Sequence, residues 1–347
     1  KCMYAFAIAV ALFSCSNDQV ELVKKEEMEK LARPGGGGST PKWSLGIVGD
    51  PADVSTPTTG GTLLMGGSTD VDAAMRWMIT KAGGGDIVVI RATGTNAYNS
   101  YIYGLGTCNS VETLLINSRT IANDPAVEAK IRGAEAVFIA GGNQWDYVNY
   151  WKDTRVEDAL NFLRNTKGCV IGGTSAGCAI QGAVYFTAQN GTVYSDEALT
   201  NPYNRYMTLG ANDFINNPYL SNLITDTHFN NPDRKGRLVT FLARIARDYG
   251  ASPYGVGVEE RTAVCIEANG SSRVFGSGSA YFMNQNSAGP ERCVSGQTLN
   301  WVQNNQAVKV YRVAGTTGGT NTFNFPTWSG SGGTTSFYYV TNGTLVQ

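Results

Sequence analysis

Apolar runs that alternate with amphipathic helical patterns constrain the fold of this chain more than any other feature. Each run is short and is followed by glycine or polar residues; the runs lie at 62–65, 86–91, 112–116, 134–140 and 169–171. After the first run, apolar residues recur at helical spacing from Val71 to Ala82, and Gly83 then ends the pattern. This order predicts an α/β fold with a mostly parallel, doubly wound sheet and flanking helices. Ligands of such sheets bind at the carboxyl ends of the strands.

Two further patterns complete a predicted domain that spans residues 43–347. Thr154 and Glu157 have the spacing of a capping box, and the apolar residues after them predict a helix that ends at Lys167-Gly168. From about residue 265 the chain is rich in strand-like segments, which we expect to form a strand-rich C-terminal extension of the same domain. These segments lie near Val274 and at 281–283, 308–313 and 337–340.

The first residues have the features of an export signal. Residues 3–13 are almost wholly apolar and too few to span a bilayer, and they lead into a Leu-Phe-Ser-Cys sequence that ends at Cys15. This pattern resembles a bacterial lipobox, so we expect a lipoprotein signal peptide at 1–15 and lipidation of Cys15. Residues 16–42 are polar and then glycine-rich, which predicts a flexible tether. The expected location is the bacterial cell envelope, with the membrane as a partner through the lipid anchor. An ordinary signal peptide with an incidental cysteine is the alternative.

Charge and histidine content exclude several classes of function. The formal net charge is −1 and there is no long basic run, so nucleic acid is not an expected partner. The single histidine, His228, rules out a multi-histidine zinc site, and any imidazole base must be this residue. No Cys-x-x-Cys spacing exists either. We therefore expect neither a metal nor another cofactor.

Five cysteines follow Cys15, and an odd number cannot all form pairs. An oxidising compartment would permit a disulfide between Cys265 and Cys293, but the sequence does not select it. The five cysteines are Cys108, Cys169, Cys178, Cys265 and Cys293.

The segment Gly173-Thr174-Ser175-Ala176-Gly177 matches the pattern G-x-S-x-G between a predicted strand and a predicted helix. In a nucleophile elbow, flanking glycines permit a cramped turn that thrusts the serine into the site. Ser175 is therefore the candidate nucleophile, and the N–H of Ala176 is a candidate oxyanion donor. A glycine-rich cradle for phosphate or another anion is the alternative.

A serine nucleophile needs a base, and His228 supplies the only imidazole. A third group must orient that imidazole. Glu260, at the end of a strand-like run, is the first candidate for this role, and Asp226 competes with it. The alternatives are a histidine with a structural hydrogen bond and a glutamate exposed to solvent at a strand end.

Other polar residues follow predicted strands or begin a predicted helix. After the strand at 134–140, Gly142 could give a second oxyanion N–H, and Gln144 could contact a polar substrate. Arg234 and Arg237 lie in the first turns of the helix after His228 and could bind a substrate carboxylate. A plain turn and a solvated helix face are the respective alternatives.

Five motifs, in this order, resemble the family of serine peptidases that contains cyanophycinase and dipeptidase E. They are GGTLLMGG around 61–67, VFIAGGNQ at 137–144, CVIGGTSAGCAIQG at 169–182, DTHFNNPDRKGRL at 226–238 and GVGVEERTAV at 255–264. The resemblance implies a fold related to class I glutamine amidotransferases, with serine in place of their cysteine. It implies a nucleophile at Ser175, a base at His228 and an acid at Glu260. It also implies a substrate pocket at Gln144, Asp226, Arg234 and Arg237, and it is compatible with a homodimer.

The chain departs from the cyanophycinase pattern at three positions near the expected site. Thr227 stands where that pattern has Gln, Pro232 where it has Arg, and Asn143 where it has Asp. Hydrolysis is therefore better supported than cyanophycin as the substrate. We expect a serine-type exopeptidase or isopeptidase that acts on a peptide, such as a β-aspartyl or acidic one.

Two other functions remain open from the sequence. The first is a surface-anchored lipoprotein that binds peptides without cleaving them. The second is an amidotransferase-like enzyme that uses Cys178, although that position in the helix after Ser175 should face packing rather than substrate.

Overall fold

The computed structural model of the chain describes residues 41–347. The expected signal peptide, Cys15 and the expected tether up to residue 40 lie outside the described residues. Within the part that is described, no helix is both long and apolar enough to cross a membrane.

The strands of the described residues are short and are spread over the whole domain. In chain order they are β1 (Ser44–Gly49), β2 (Gly61–Met65), β3 (Asp86–Arg91), β4 (Ser110–Leu115), β5 (Ala136–Ile139), β6 (Val170–Thr174), β7 (Val184–Phe186), β8 (Leu209–Ala211), β9 (Leu223–Asp226), β10 (Tyr254–Val258), β11 (Thr262–Glu267), β12 (Ser271–Gly276), β13 (Ser279–Gln285), β14 (Val308–Ala314), β15 (Thr322–Asn324), β16 (Ser329–Ser331), β17 (Gly333–Thr341) and β18 (Thr344–Val346).

The helices lie mainly in the first two thirds of the domain. They are α1 (Asp72–Lys81), α2 (Ala97–Leu105), α3 (Arg119–Ala122), α4 (Pro125–Gly133), α5 (Gln144–Trp151), α6 (Arg155–Phe162), α7 (Ala176–Ala179), α8 (Ser195–Thr200) and α9 (Lys235–Tyr249). A π-helical turn (Leu163–Lys167) extends α6, and 3-10 turns occur at Pro218–Leu220 and Gln303–Asn305.

The first sheet has ten strands in the order β1-β4-β3-β5-β6-β2-β11-β12-β15-β16. The five strands from β4 to β2 are parallel to one another, and the pairs on both sides of them are antiparallel. Strands β2 and β5 are buried at every position, as expected for parallel strands that are covered on both faces. The predicted α/β fold with a parallel sheet is thus confirmed for the centre of the sheet.

The second sheet has eight strands in the order β18-β17-β14-β13-β10-β9-β7-β8. Only the contacts of β9 with β10 and with β7 are parallel, and the described neighbours beyond them are antiparallel. The sequence did not predict this sheet. The expected strand-rich C-terminal region is confirmed, with strands near Val274 and at 281–283, 308–313 and 337–340. They complete both sheets in alternation, since β11, β12, β15 and β16 join the first sheet and β13, β14, β17 and β18 the second.

Hydrophobic clusters join these elements into layers. Helices α1 and α2 cover one face of the first sheet, where Met78 and Ile102 pack with Val89 and Phe138. Helices α4, α5 and α6 cover the other face with residues such as Trp151. Next to them the second sheet packs on the same face, through residues that include Leu64, Val264, Val256 and Phe282. Helix α9 covers the outer face of the second sheet, where Leu238 and Phe241 contact a cluster with Ile224 and Met283.

The expected capping box is wrong in its contacts. Thr154 does precede the first residue of α6, but its hydroxyl donates to the Trp151 carbonyl instead of accepting from the helix. Glu157 accepts from the N–H of Asp153, one residue earlier than a capping box requires. The predicted end is confirmed, because Gly168 adopts φ +72° after the π-helical turn.

Candidate active site

Ser175 lies in the tight turn between β6 and α7. Its φ of 52° and ψ of −121° place a residue with a Cβ in a conformation that favours glycine. The turn is so close that a Cβ on Gly173 would lie 2.3 Å from the Gly177 carbonyl oxygen, and one on Gly177 would lie 2.1 Å from that of Ile139. Both flanking glycines of the motif are therefore required by sterics. This is the conformation expected of a nucleophile elbow, in which the serine side chain is held away from its own helix.

His228 follows β9 and presents its imidazole to this serine. The Oγ of Ser175 lies 2.8 Å from Nε2 of His228. The backbone of His228 also has a positive φ, 48°, and its N–H donates to the Gly66 carbonyl over 2.7 Å. A Cβ on Gly67 would lie 2.4 Å from Nε2, so the backbone after β2 directly adjoins the imidazole ring. The second glycine of this pair leaves the space that the ring occupies.

Glu260 completes a linear set of three side chains. Its Oε1 lies 2.8 Å from Nδ1 of His228, and the side chains of the histidine and the glutamate are 26% and 16% exposed. The neighbouring Glu259 points elsewhere, because its carboxylate accepts from the Tyr281 hydroxyl and the Ser279 N–H. The structure thus brings Ser175, His228 and Glu260 together as the sequence predicted, and partial burial limits the competition of water for the two bonds.

Asp226 does not face the imidazole and therefore does not take the place of Glu260. Its carboxylate is 2% exposed and forms a bidentate ion pair with Arg237, with 3.0 Å between Nε and Oδ2. Arg237 is itself 4% exposed and donates further to the Thr192 hydroxyl and the Val193 carbonyl. The two residues were expected to line a substrate pocket, but in the structure their charged groups are bonded to each other.

Arg234 has a different environment from Arg237. Its Nη1 donates to the Thr227 carbonyl over 2.8 Å and lies 4.0 Å from the Asp226 carboxylate, while its side chain stays 21% exposed. Burial, together with the nearby charge of Arg237, lowers the pKa of this guanidinium. Arg234 is thus a half-buried cation bonded to Thr227, the residue before His228. Its other N–H donors are left for a ligand, as a carboxylate-binding role requires.

The two expected oxyanion donors belong to different elements, Ala176 to α7 and Gly142 to the loop after β5. Gly141, after β5, is close enough that a Cβ there would lie 3.3 Å from Cβ of Ser175, and Gly142 follows it. Within residues 41–347, neither the Gly142 N–H nor the Ala176 N–H donates to a protein acceptor. Both therefore remain available to an oxygen bound at Ser175.

Gln144 is the first residue of α5, and Asn143 caps that helix by accepting from the Trp145 N–H. The amide of Gln144 donates to the Phe186 carbonyl at the end of β7. This bond ties the loop after β5 to the second sheet, so Gln144 has a partner in the protein in addition to its expected contact with substrate.

Cysteine chemistry is not supported at this site. Cys178 lies in α7 and is fully buried, and this burial raises the pKa of its thiol well above the usual range. The thiol therefore faces the interior, as the sequence suggested. The five described cysteines are all free thiols, so the disulfide between Cys265 and Cys293 is not present.

A cavity of about 310 Å³ lies where the loop after Gly67 meets the residue after Glu260. Its lining includes Asp70, Asp72, Arg261, Ser277 and Thr317. Neither this cavity nor the contact of Gly67 with the imidazole was predicted from the sequence. The glycine pair after β2 was visible as a strand end, but only the structure shows which side chain lies against it.

The chain is similar to several known proteins. The model of peptidase family S51 matches residues 96–274, slightly more than half of the chain, and the matched range includes Ser175, His228 and Glu260. Curated relatives include a cyanophycinase from Nostoc sp. strain PCC 7120, 28% identical over 49% of this chain and 51% of that protein. A cyanophycinase from Synechococcus elongatus is 29% identical over 49% of this chain and 48% of that protein. The chain spans about half the length of these curated relatives.

Two solved structures are also similar. One is a peptidase from an acI-B1 Actinobacterium, with a TM-score of 0.47 and 14% identity over 69% of this chain and 98% of that chain. The other is a peptidase E-type protein from Listeria monocytogenes, with a TM-score of 0.40 and 18% identity over 63% of this chain and 99% of that chain. The extent of the family match decides the assignment: the chain belongs to peptidase family S51.

Proposed function

We propose that this protein is a serine-type peptidase that cleaves a peptide or isopeptide bond through Ser175, His228 and Glu260. One observation carries the proposal: the strained Ser175 places Oγ 2.8 Å from Nε2 of His228, whose Nδ1 lies 2.8 Å from Glu260. A nucleophile, a base and a group that orients the base are the three parts of a serine triad. Membership of peptidase family S51 supports the same reaction class.

The reaction follows from this order of atoms. Oγ of Ser175 attacks the carbonyl carbon while Nε2 of His228 accepts the hydroxyl proton, and Glu260 stabilises the imidazolium through Nδ1–H. The imidazolium then protonates the leaving amine, the C–N bond breaks and an acyl-serine remains. Water attacks this ester as His228 takes its proton, and the proton returns to Oγ when the carboxylic acid product leaves.

Charge on the carbonyl oxygen must be stabilised in both tetrahedral intermediates. The N–H groups of Gly142 and Ala176 are the candidates for this role. Ala176 directly follows the serine, Gly142 follows the glycine that adjoins it, and neither N–H has a protein acceptor among residues 41–347. Fixed backbone donors of this kind commonly contribute about 10²–10³-fold each to the rate.

Arg234 supports an acidic peptide as the substrate class. It is a half-buried cation that is bonded to the carbonyl of Thr227, the residue before the base. This bond leaves other N–H donors of the guanidinium for a carboxylate. A β-aspartyl dipeptide presents a carboxylate close to the scissile isopeptide bond, so it matches this arrangement.

Labelling with a fluorophosphonate tests the proposal without knowledge of the substrate. The phosphonate should modify the wild-type protein at Ser175, as read by mass spectrometry of the peptide that carries this residue. Modification should be lost in His228→Ala, because the unassisted hydroxyl is a weak nucleophile. A folded wild type that stays unlabelled and does not cleave β-aspartyl dipeptides would contradict the proposal. It would favour a peptide-binding protein instead, for which the departures at Asn143, Thr227 and Pro232 are the supporting observation.

Gly67→Ala should slow labelling about 100-fold, a typical consequence of a displaced catalytic group. The added methyl would lie 2.4 Å from Nε2 of His228, so the ring must leave the position in which Nε2 lies 2.8 Å from Oγ of Ser175. Gly84→Ala is the matched control, because Gly84 also has a positive φ, 86°, but its Cβ would have no heavy atom within 4 Å. Both variants should lose about 1–2 kcal/mol of stability from the unfavourable φ. Only the first should lose labelling, and equal labelling rates in the two variants would refute the steric argument.

A further inference from the structure

The connection between the base and the acid of the site begins in the sheet. Strands β9 and β10 are parallel, and their last paired residues are Asp226 and Gly257. One more backbone bond follows, from the Phe229 N–H to the Val258 carbonyl over 3.2 Å. Between these two contacts, the positive φ of His228 turns the chain out of the strand direction. In the described pairing of the two strands, no regular ladder continues towards Glu260.

A side chain continues the pairing where the ladder stops. Oδ1 of Asn230 accepts a hydrogen bond from the N–H of Glu260 over 3.0 Å. The loop that carries Asn230 is itself well fixed, since the Asn231 N–H donates to the His228 carbonyl over 3.0 Å and the Arg234 N–H to the Phe229 carbonyl over 3.1 Å. The amide of Asn230 therefore connects the backbone of the acid to the loop that holds the base.

We propose that Asn230 is a positioning residue that keeps the Glu260 carboxylate in register with Nδ1 of His228. The inference rests on the proposed function in that it assigns a role within the same triad. It goes beyond the triad because Asn230 touches none of the reacting atoms. The hydrogen bonds close a ring from His228 through Glu260 to Asn230 and back along two peptide units to His228.

The chemistry of the side chain fits this task. An amide oxygen accepts from a backbone N–H without adding charge beside the carboxylate, so the pairing of Glu260 with the imidazole is not disturbed. Asn230 is exposed, and water can replace its oxygen as an acceptor but cannot fix the position of the Glu260 backbone relative to the loop. Loss of Asn230 should therefore affect geometry more than stability.

The single histidine of this sequence makes a direct test feasible. Imidazole ¹⁵N–¹H spectra of the protein without a histidine tag report on His228 alone, and a far-downfield Nδ1–H signal marks the bond to a carboxylate. The same samples give the rate constant of fluorophosphonate labelling as a function of pH. The variants are Asn230→Ala, which removes the acceptor, and Asn230→Asp, which retains an acceptor oxygen and adds a negative charge.

Asn269→Ala is the matched control for these variants. Oδ1 of Asn269 also accepts from a backbone N–H, that of Ser271, over 3.0 Å in an exposed turn. This turn lies between β11 and β12, at the opposite end of β11 from Glu260. A general effect of the loss of such a bond would appear equally in both alanine variants.

We expect Asn230→Ala to weaken or broaden the Nδ1–H signal and to slow labelling about tenfold, with little change in melting temperature. Asn230→Asp should retain the signal and most of the rate, with the pH midpoint of labelling moved upward because the added charge favours the imidazolium. Asn269→Ala should match the wild type in both measurements.

The inference would be overturned if Asn230→Ala had the spectrum and the labelling rate of the wild type. It would also be overturned if Asn230→Asp lost as much of the Nδ1–H signal and of the labelling rate as Asn230→Ala. The proposed function fails separately. If the wild type is neither labelled nor able to cleave β-aspartyl dipeptides, but the Nδ1–H signal depends on Asn230 as expected, the positioning role stands and the peptidase assignment does not.

Discussion

Ser175→Ala should abolish hydrolysis, with a fall in kcat of about 10⁴–10⁶-fold. The substitution removes only Oγ, the atom 2.8 Å from Nε2 of His228, so no nucleophile remains for the base to activate. Residue 175 already has a Cβ at φ 52°, and alanine keeps this atom, so the close packing of the turn should be unchanged. The measurement is the initial rate on β-aspartyl dipeptides, together with thermal unfolding to show that the variant is folded.

Ser221→Ala is a suitable control for this result. The Ser221 hydroxyl is exposed, bonds only to the Pro218 carbonyl among the described residues, and lies before β9, at the opposite end of this strand from His228. It should leave the rate within about twofold of the wild type, as expected for a surface substitution. Turnover by folded Ser175→Ala at the wild-type rate would remove the basis of the proposed mechanism.

Arg237→Met should destabilise the protein by about 3–5 kcal/mol, the usual consequence of breaking a buried ion pair by removal of one partner. Asp226 is 2% exposed, and after the substitution its remaining partners among residues 41–347 would be the Thr227 N–H and the more distant Arg234. Urea unfolding at neutral pH measures the loss as a fall in the midpoint. A fall in the free energy of unfolding of less than about 1 kcal/mol would show that the ion pair between the end of β9 and α9 does not stabilise the structure.

Two further variants separate the ion pair from general packing effects. Asp226→Asn combined with Arg237→Met removes both charges, and it should recover part of the stability that Arg237→Met alone loses. Arg155→Met breaks a surface pair with Glu128, in which the arginine side chain is 49% exposed, and should change stability by less than about 1 kcal/mol. No recovery in the double variant would mean that the aliphatic part of Arg237, rather than its charge, is what matters.

The reactive parts of the site could be predicted because each is determined by local sequence. Gly173 is required by a backbone contact with Gly177, two residues after Ser175, and the G-x-S-x-G pattern reports this directly. Gly177 is required by the Ile139 carbonyl on β5, a contact between distant segments that the pattern does not show. A sole histidine leaves no choice of base. Glu260 and Asp226 could not be separated by spacing, and the choice between them came from family resemblance. The structure gives the physical reason, since Asp226 points to Arg237 and Glu260 to the imidazole.

Contacts between distant segments could not be predicted from one sequence. Arg237 lies on α9 with an amphipathic pattern that looks like any solvated face, and its burial depends on the loop that contains Thr192 and Val193. The second sheet was missed for the same reason. Alternating apolar residues show that a segment such as 308–314 is a strand, but they do not show which of two sheets supplies its neighbours.

The alternating assignment of the late strands to the two sheets has a consequence for how the chain reaches this state. Strand β2 is buried at every position, but it can pair with β11 only after that strand, in which Ala263 lies opposite Met65, has been synthesised. Until then a flat apolar edge of the parallel core is open to pairing with other chains. Contacts of such long sequence separation form slowly, and the open edge favours aggregation meanwhile. Truncation anywhere between β11 and β16 should therefore leave both sheets unfinished, and expression of the protein should depend on chaperones that shield nascent strands.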